Sequence, residues 1–231
     1  MNVLRFRVWA ALFLLLLGPS SSLAQNNTSL DLRLVLAIDC SFSVDDREFA
    51  LQMTGIAEAF RSKEVVDAIG QGKYRRIAVT LVQWSSPAAQ FIAVPWTFID
   101  GRESAALFAE TVAATPRLTA EGGTSLSTAL LFAGALLEEN NDAERRVVDI
   151  SADGRNNSGE EIQNARDALV ARGITINGLA ILDEIANLHR YFKKNVIGGK
   201  DFFVVEAKNY RHYAEAIRRK LVMEISGLPV S

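Results

Sequence analysis

Residues 33–43, RLVLAIDCSFS, contain the first predicted strand and the polar segment that follows it. Leu34 to Ile38 are consecutive apolar residues, which is typical of a strand covered on both faces of a sheet. The strand ends at Asp39, and Ser41 and Ser43 follow at alternate positions, so their oxygens can converge on one point. Oxygen ligands suit a hard divalent cation such as Mg²⁺. Alone, D-x-S-x-S is a weak signal, because serines between a strand and a helix are usually caps.

Apolar strands alternate with amphipathic helices along the rest of the chain, the pattern of a mostly parallel sheet covered on both faces. Residues 85–87, between the second and third strands, leave space for a hairpin but not for a crossover helix, so the third strand is expected to be antiparallel at an edge. We therefore predict one doubly wound, Rossmann-like α/β domain with a six-stranded sheet, parallel apart from that edge strand, and helices on both faces. The predicted strands are residues 33–38, 77–84, 90–94, 147–151, 174–181 and 202–205.

Two later segments have the same character as the end of the first strand. Gly122-Gly123-Thr124 opens a predicted helix, and Asp153-Gly154 ends the fourth strand. In open α/β sheets the ligand crevice lies beyond the carboxyl ends of the strands, so these segments meet if the first and fourth strands are neighbours. Each also has a simple structural explanation, a helix cap or a turn. Together they predict a metal site made of Asp39, Ser41, Ser43, Thr124 and Asp153.

This combination resembles the von Willebrand factor A domain and its metal-ion-dependent adhesion site (MIDAS). That motif is D-x-S-x-S, a threonine in a Gly-Thr loop and an Asp-Gly after the fourth strand. Every position is filled, and the resemblance covers roughly Leu30 to Ser226. Further stretches are similar to a bacterial branch of the superfamily known mainly as exported proteins of unknown function. They are residues 145–159 (RRVVDISADGRNNSG), 174–179 (ITINGL), 195–199 (NVIGG) and 219–225 (RKLVMEI).

The resemblance implies different roles for the hydroxyl groups and the carboxylates of the site. The hydroxyls of Ser41, Ser43 and Thr124 would bind the metal directly, while Asp39 and Asp153 would act largely through water. With few direct carboxylates the cation stays electrophilic, and its open position accepts a carboxylate from an Asp or Glu of a partner protein. The implied cofactor is Mg²⁺, with Mn²⁺ or Ca²⁺ as alternatives.

The first 24 residues have the pattern of a signal peptide. Arg5 and Arg7 precede an apolar run over residues 8–17, and Ser22-Leu23-Ala24 follows as a small-residue cleavage site. The expected organisation is a signal peptide at 1–24, a short polar lead-in at 25–29 and the domain at 30–226. We expect an exported protein, periplasmic or secreted, with no integral membrane segment after cleavage.

Charge and cysteine content exclude some classes of function. Without residues 1–24 the chain has 23 basic and 27 acidic side chains, and this mild acidity gives no reason to expect nucleic-acid binding. Cys40 is the only cysteine, so no intrachain disulfide is possible, and a small buried residue is expected there rather than a metal ligand.

Three functions remain in view. The first is a metal-dependent protein-binding module, and the second is a metal-free scaffold in an envelope assembly. The third is a magnesium phosphotransferase, which usually needs a second acid two residues after its nucleophilic aspartate, where this chain has Ser41. The chain is therefore not expected to be an enzyme.

Two smaller expectations concern polar residues outside the site. Asp149, in the fourth strand, is expected to be a solvated or hydrogen-bonded acid, with a supporting role near the metal as the alternative. Ser158 with Glu161 fits a capping box for a helix that runs to Ala171.

Overall fold

A computed structural model of the chain describes residues 29–119, 122–139 and 142–227. The expected signal peptide and residues 25–28 of the lead-in lie outside the described residues. Within the described part, no helix has both the length and the apolar character needed to cross a membrane.

The described elements alternate as predicted. The strands are β1 (Leu32–Asp39), β2 (Ile77–Trp84), β3 (Gln90–Ile99), β4 (Arg146–Ala152), β5 (Thr175–Ile181) and β6 (Val204–Ala207). The helices are α1 (Asp46–Arg61), α2 (Lys63–Gly70), α3 (Arg102–Ala114), α4 (Leu126–Glu138), α5 (Ile162–Ala171), α6 (Leu188–Tyr191) and α7 (Tyr213–Ser226). A π-helical turn at Phe192–Val196 continues α6, and a 3₁₀ turn at Tyr210–His212 precedes α7.

The sheet confirms the predicted fold class. Its strand order is β3-β2-β1-β4-β5-β6, and every neighbouring pair is parallel except β2 with β3. β1 therefore lies next to β4, with Ile38 opposite Ser151. This pairing brings the carboxyl end of β1 beside that of β4, as the site prediction required.

Two strands, β3 and β6, differ from the sequence prediction by more than one residue at an end. β3 continues five residues past Val94 because its pairing with β2 resumes after register shifts near Leu81, and Pro95 hides this continuation in the sequence. β6 begins at Val204 rather than at Phe202, since its pairing with β5 starts opposite Gly178.

β1 is buried on both faces, as its apolar run predicts. Its residues alternate between two cores: Leu34 and Leu36 pack on the side of α1, α3 and α7, whereas Val35 and Ala37 pack on the side of α4 and α5. Cys40 is a buried free thiol in the first of these cores, as expected for a small apolar residue.

The predicted capping box at Ser158 was wrong. α5 begins at Ile162, and the residue before it, Glu161, makes no side-chain capping bond. Gly159 has a φ of +84°, which a right-handed helix cannot accommodate, so the helix starts only after it.

Candidate metal centre

The loop after β1 holds the carboxyl group of Asp39 through the backbone. The Ser41 N–H donates to Asp39 Oδ1 at 2.7 Å, and the side chain of Gln52 on α1 donates to the Asp39 carbonyl oxygen at 3.0 Å. Asp39 is fully buried, and within the described part of the chain its second oxygen, Oδ2, has no hydrogen-bond partner. Since buried polar atoms are nearly always hydrogen-bonded, this oxygen is free to accept a ligand.

Asp153 directly follows β4 and is joined to the first loop by side-chain contacts. Ser43 Oγ donates to Asp153 Oδ1 at 2.7 Å, and Ser41 Oγ lies 3.3 Å from Ser43 Oγ. The Tyr210 hydroxyl donates to Asp153 Oδ2 at 3.0 Å. The loop after β1 and the end of β4 therefore form one continuous polar cluster.

Thr124 lies beside the same cluster. Its backbone N–H donates to Asn157 Oδ1 at 2.8 Å, and its carbonyl oxygen accepts from the Asn157 N–H at 3.0 Å. A Cβ placed on Gly154 would be 3.4 Å from Thr124 Oγ1, so the threonine hydroxyl lies against the turn that follows Asp153. The structure therefore brings all the predicted site residues to the carboxyl edge of the sheet.

Gly122 and Gly123 allow the threonine loop to approach its neighbours. The Gly122 carbonyl oxygen accepts from the Phe42 N–H at 2.9 Å. A Cβ on Gly123 would come within 3.2 Å of Asn157 Oδ1, closer than most Cβ contacts. Glycines therefore let this loop pack closely against the segments that follow β2 and β4, while its backbone bonds to the loop after β1.

Among the described residues no cationic side chain is bonded to either carboxyl group, although the charge of Arg117 acts to lower the pKa of Asp39. Burial, and then the proximity of Asp153, raises the pKa of Asp39 to about 8, although hydrogen bonds from Ser41 act in the opposite direction. Burial also raises the pKa of Asp153, against hydrogen bonds from Ser43 and Tyr210. A bound cation would compensate for this, because it favours the charged form of both carboxyl groups. The donor set therefore fits a hard cation.

Arg117 holds the loop through hydrogen bonds to its backbone. Its guanidinium donates to the carbonyl oxygens of Val44 at 2.8 Å and Cys40 at 2.9 Å, and contacts that of Ser41 at 3.3 Å. Its ion-pair partner is Asp46, 3.5 Å away, which is exposed. The arginine therefore fixes the backbone that carries the two serines.

An open cleft of about 710 Å³ adjoins the cluster. Ser43, Thr124 and both loop glycines line it on the site side. Phe42, whose side chain is 76 % exposed, Arg155, Glu184 and Ile185 line it as well. The cleft combines apolar groups with one cationic and one anionic side chain next to the proposed site.

Several residues that build the site were not predicted. Tyr210, Arg117, Asn157 and Gln52 all contact it from other elements. Their partners are distant in sequence, so no local spacing identifies them.

Asp149 was expected to be solvated or hydrogen-bonded, and the structure excludes the first of these environments. It is 1 % exposed and lies 2.7 Å from the buried Lys220 Nζ on α7. In residues 29–119, 122–139 and 142–227, no three His, Cys, Asp or Glu side chains cluster so as to hold a metal. A metal here would depend on hydroxyl ligands.

The family model described as "Protein of unknown function (DUF1194)" matches residues 29–229. No curated protein matches the chain.

Solved structures with the same fold come from several sources. Proximal thread matrix protein 1 (PTMP1) from the mussel byssus, with a zinc-occupied MIDAS motif, is 15 % identical with a TM-score of 0.59, covering 86 % of this chain and 48 % of that one. The von Willebrand factor type A protein from Catenulispora acidiphila is 18 % identical with a TM-score of 0.56, covering 85 % and 43 %. BatB from Bacteroides thetaiotaomicron is 17 % identical with a TM-score of 0.53, covering 85 % and 100 %.

These likenesses show the fold. The six-stranded α/β architecture is that of von Willebrand A-type domains, as the resemblance in the sequence predicted. The chain spans about half the length of the PTMP1 structures that it matches (48–49 %).

Proposed function

The chain belongs to the family described as protein of unknown function DUF1194, and we propose that it is an exported, metal-dependent protein-binding module. The observation that carries the proposal is the meeting of two buried carboxyl groups with three hydroxyl-bearing side chains beside an open cleft. Asp39 Oδ2 has no partner within this cluster. A buried carboxylate needs compensation, and a divalent cation supplies it in an all-oxygen site.

The residues that would hold the cation are Ser41, Ser43 and Thr124 through hydroxyl oxygens, and Asp39 and Asp153 through their negative field. When bound, Mg²⁺ would supply an open coordination position for a carboxylate oxygen from a partner protein. Mn²⁺ or Ca²⁺ would serve the same donor set. The other residues of the site hold these oxygen ligands in place through hydrogen bonds that do not involve the cation.

The cleft suggests the chemistry of the partner. An acidic side chain would enter beside Ser43 and Thr124, where the bound cation would attract it, while Arg155 and Glu184 of the cleft oppose each other in charge. Phe42 and Ile185 offer apolar contact to the neighbouring residue of the partner. We therefore expect a segment in which an Asp or Glu is adjacent to an apolar residue.

Export is the part of the proposal that rests on residues 1–24. Their basic, apolar and small-residue regions are those of a signal peptide, and they precede the domain without overlapping it. The protein would then work in the periplasm or outside the cell.

A metal-free scaffold is the second candidate. It is favoured by the Asp153 carboxyl group, whose two oxygens already accept hydrogen bonds from Ser43 and Tyr210 without a metal. A magnesium phosphotransferase ranks last, because Ser41 stands where that chemistry needs a second acid.

Thermal unfolding with and without divalent cations tests the proposal. A cation at about 100 times its Kd stabilises a fold by roughly 2.7 kcal/mol, which for a domain of this size raises Tm by about 5–10 °C. We expect this shift with Mg²⁺ or Mn²⁺ relative to EDTA, and its loss in Asp39→Asn. Asp149→Asn is the matched control, because it changes a buried aspartate outside the site and should keep the shift. No shift in the wild type would favour the scaffold.

A further inference from the structure

We propose that Tyr210 is a positioning residue of the metal site, fixing the Asp153 carboxyl group before any cation arrives. This inference rests on the proposed function, because it assigns a role within the same site. Tyr210 stands outside the D-x-S-x-S, Gly-Thr and Asp-Gly segments, and it reaches the site from the connection between β6 and α7.

The Asp153 carboxyl group is held from two sides. Ser43 Oγ donates to Oδ1 at 2.7 Å, and the Tyr210 hydroxyl donates to Oδ2 at 3.0 Å. With both oxygens bonded to different segments of the chain, the group cannot rotate freely about its Cβ–Cγ bond. Without the tyrosine hydroxyl only the bond to Ser43 would orient it.

Tyr210 is itself rigidly placed. It is 3 % exposed and belongs to the apolar core that covers the α1 side of the sheet. Asn209 closes the turn around it, because its side chain accepts from the Arg211 N–H at 3.1 Å and its carbonyl oxygen accepts from the His212 N–H at 3.0 Å. A rigid donor transmits its position to the carboxyl group that it contacts.

Groups that orient metal ligands in this way affect affinity strongly. Removing such a partner typically weakens metal binding roughly 10–100-fold. Tyr210→Phe removes the hydroxyl and keeps the buried ring, so we expect weaker Mn²⁺ binding with little change in the packing of the core.

Tyr213→Phe is the matched control. Tyr213 is a buried tyrosine three residues later, and its hydroxyl lies 3.3 Å from Ser151 Oγ. The two variants make the same chemical change in the same segment, and only Tyr210 contacts a proposed site residue.

The experiment measures Mn²⁺ binding to the full protein by calorimetry, together with Tm in EDTA, for the wild type and both variants. We expect Tyr210→Phe to raise the Kd about 10–100-fold, Tyr213→Phe to leave it unchanged, and both to unfold in EDTA near the wild-type temperature. Equal Kd values for Tyr210→Phe and wild type would overturn this inference alone, as would equal weakening in both variants. A Tyr210→Phe protein that fails to fold would also overturn it, because the role would then be structural. Absence of Mn²⁺ binding in the wild type would overturn the proposed function and this inference together.

Discussion

Two pairs of buried acids lie at β4, one around Asp149 within the strand and the other around Asp153 directly after it, and they differ in how their charge is compensated. In the first pair, Asp149 of β4 and Glu224 of α7 share Lys220, whose Nζ lies 2.7 Å from Asp149 Oδ2 and 2.6 Å from Glu224 Oε1. In the second pair, Asp39 and Asp153, no ammonium or guanidinium group of the described residues is bonded to either carboxyl. Burial is the largest influence raising the pKa of Asp39, Asp153 and Glu224.

The difference shows that the protein compensates the first pair with one of its own side chains. That side chain is Lys220, which is fully buried. At the second pair Arg117, whose charge lowers the pKa of Asp39, donates to backbone carbonyl oxygens instead of to a carboxyl group. Since uncompensated buried charge is costly, the second pair must be protonated or bind a cation from outside. This contrast supports a metal site at Asp39 and argues against one at Asp149.

Removal of Lys220 should have the largest effect on stability. Lys220→Met keeps most of the side-chain volume but leaves Asp149 and Glu224 without a cation. Breaking a buried ion pair in this way costs about 3–5 kcal/mol. Urea unfolding in EDTA at pH 7 measures the loss, and Arg219→Met, at the exposed neighbouring position, is expected to change the free energy of unfolding by less than about 0.5 kcal/mol. Equal losses in both variants would mean that Lys220 is no more important than a surface residue.

The same substitution in each pair should have different effects in EDTA. Asp149→Asn removes one of the two partners of Lys220 and should destabilise the protein by about 1–3 kcal/mol. Asp39→Asn removes a carboxylate that repels Asp153, while its Oδ1 can still accept from the Ser41 N–H, so we expect unchanged or higher stability. Chemical unfolding of both variants beside the wild type measures the two effects. If Asp39→Asn proved the more damaging, the contrast between the pairs would be untenable.

The pH dependence of stability should carry a smaller contribution from Glu224. Burial, and then Asp149, raises the pKa of Glu224 from 4.5 to about 8, although Lys220 lowers it. The folded protein therefore binds this proton more tightly than the unfolded chain, so the stabilisation is complete below about pH 4.5 and is lost as the pH rises towards 8. In EDTA, the free energy of unfolding of the wild type minus that of Glu224→Gln should fall between pH 5 and pH 8. A constant difference across this range would contradict the assignment.

The sequence predicted the fold and the convergence of the site because both depend on local patterns. The run from Leu34 to Ile38 identifies a doubly covered strand, and once β1 and β4 are neighbours, Asp39 and Asp153 must come together. Whether a metal binds there stays a prediction.

The charged pair around Lys220 could not be predicted in this way. Lys220 and Glu224 are four residues apart on a helix, a spacing that usually marks an exposed ion pair. Their burial depends on how α7 packs against β4 and β5, which no local pattern records. Tyr210 was missed for the same reason, because its partner Asp153 is 57 residues away.

The smallest effect on stability is expected at the rim of the metal-site pair. Phe42 is 76 % exposed, so Phe42→Ser should change the free energy of unfolding by less than about 0.5 kcal/mol and leave Mg²⁺ binding intact. If the partner places an apolar residue beside its acid, however, this variant should lose selectivity. Immobilised peptides that carry one Asp next to either Leu or Gly provide the measurement: in Mg²⁺ the wild type should prefer the Leu-containing peptides and Phe42→Ser should not. Phe91→Ser, an exposed phenylalanine of β3 that does not line the cleft, is the control and should keep the preference. The same preference for Leu-containing peptides in all three proteins would leave Phe42 with no part in recognition, and no preference in any of them would restrict recognition to the acidic group alone.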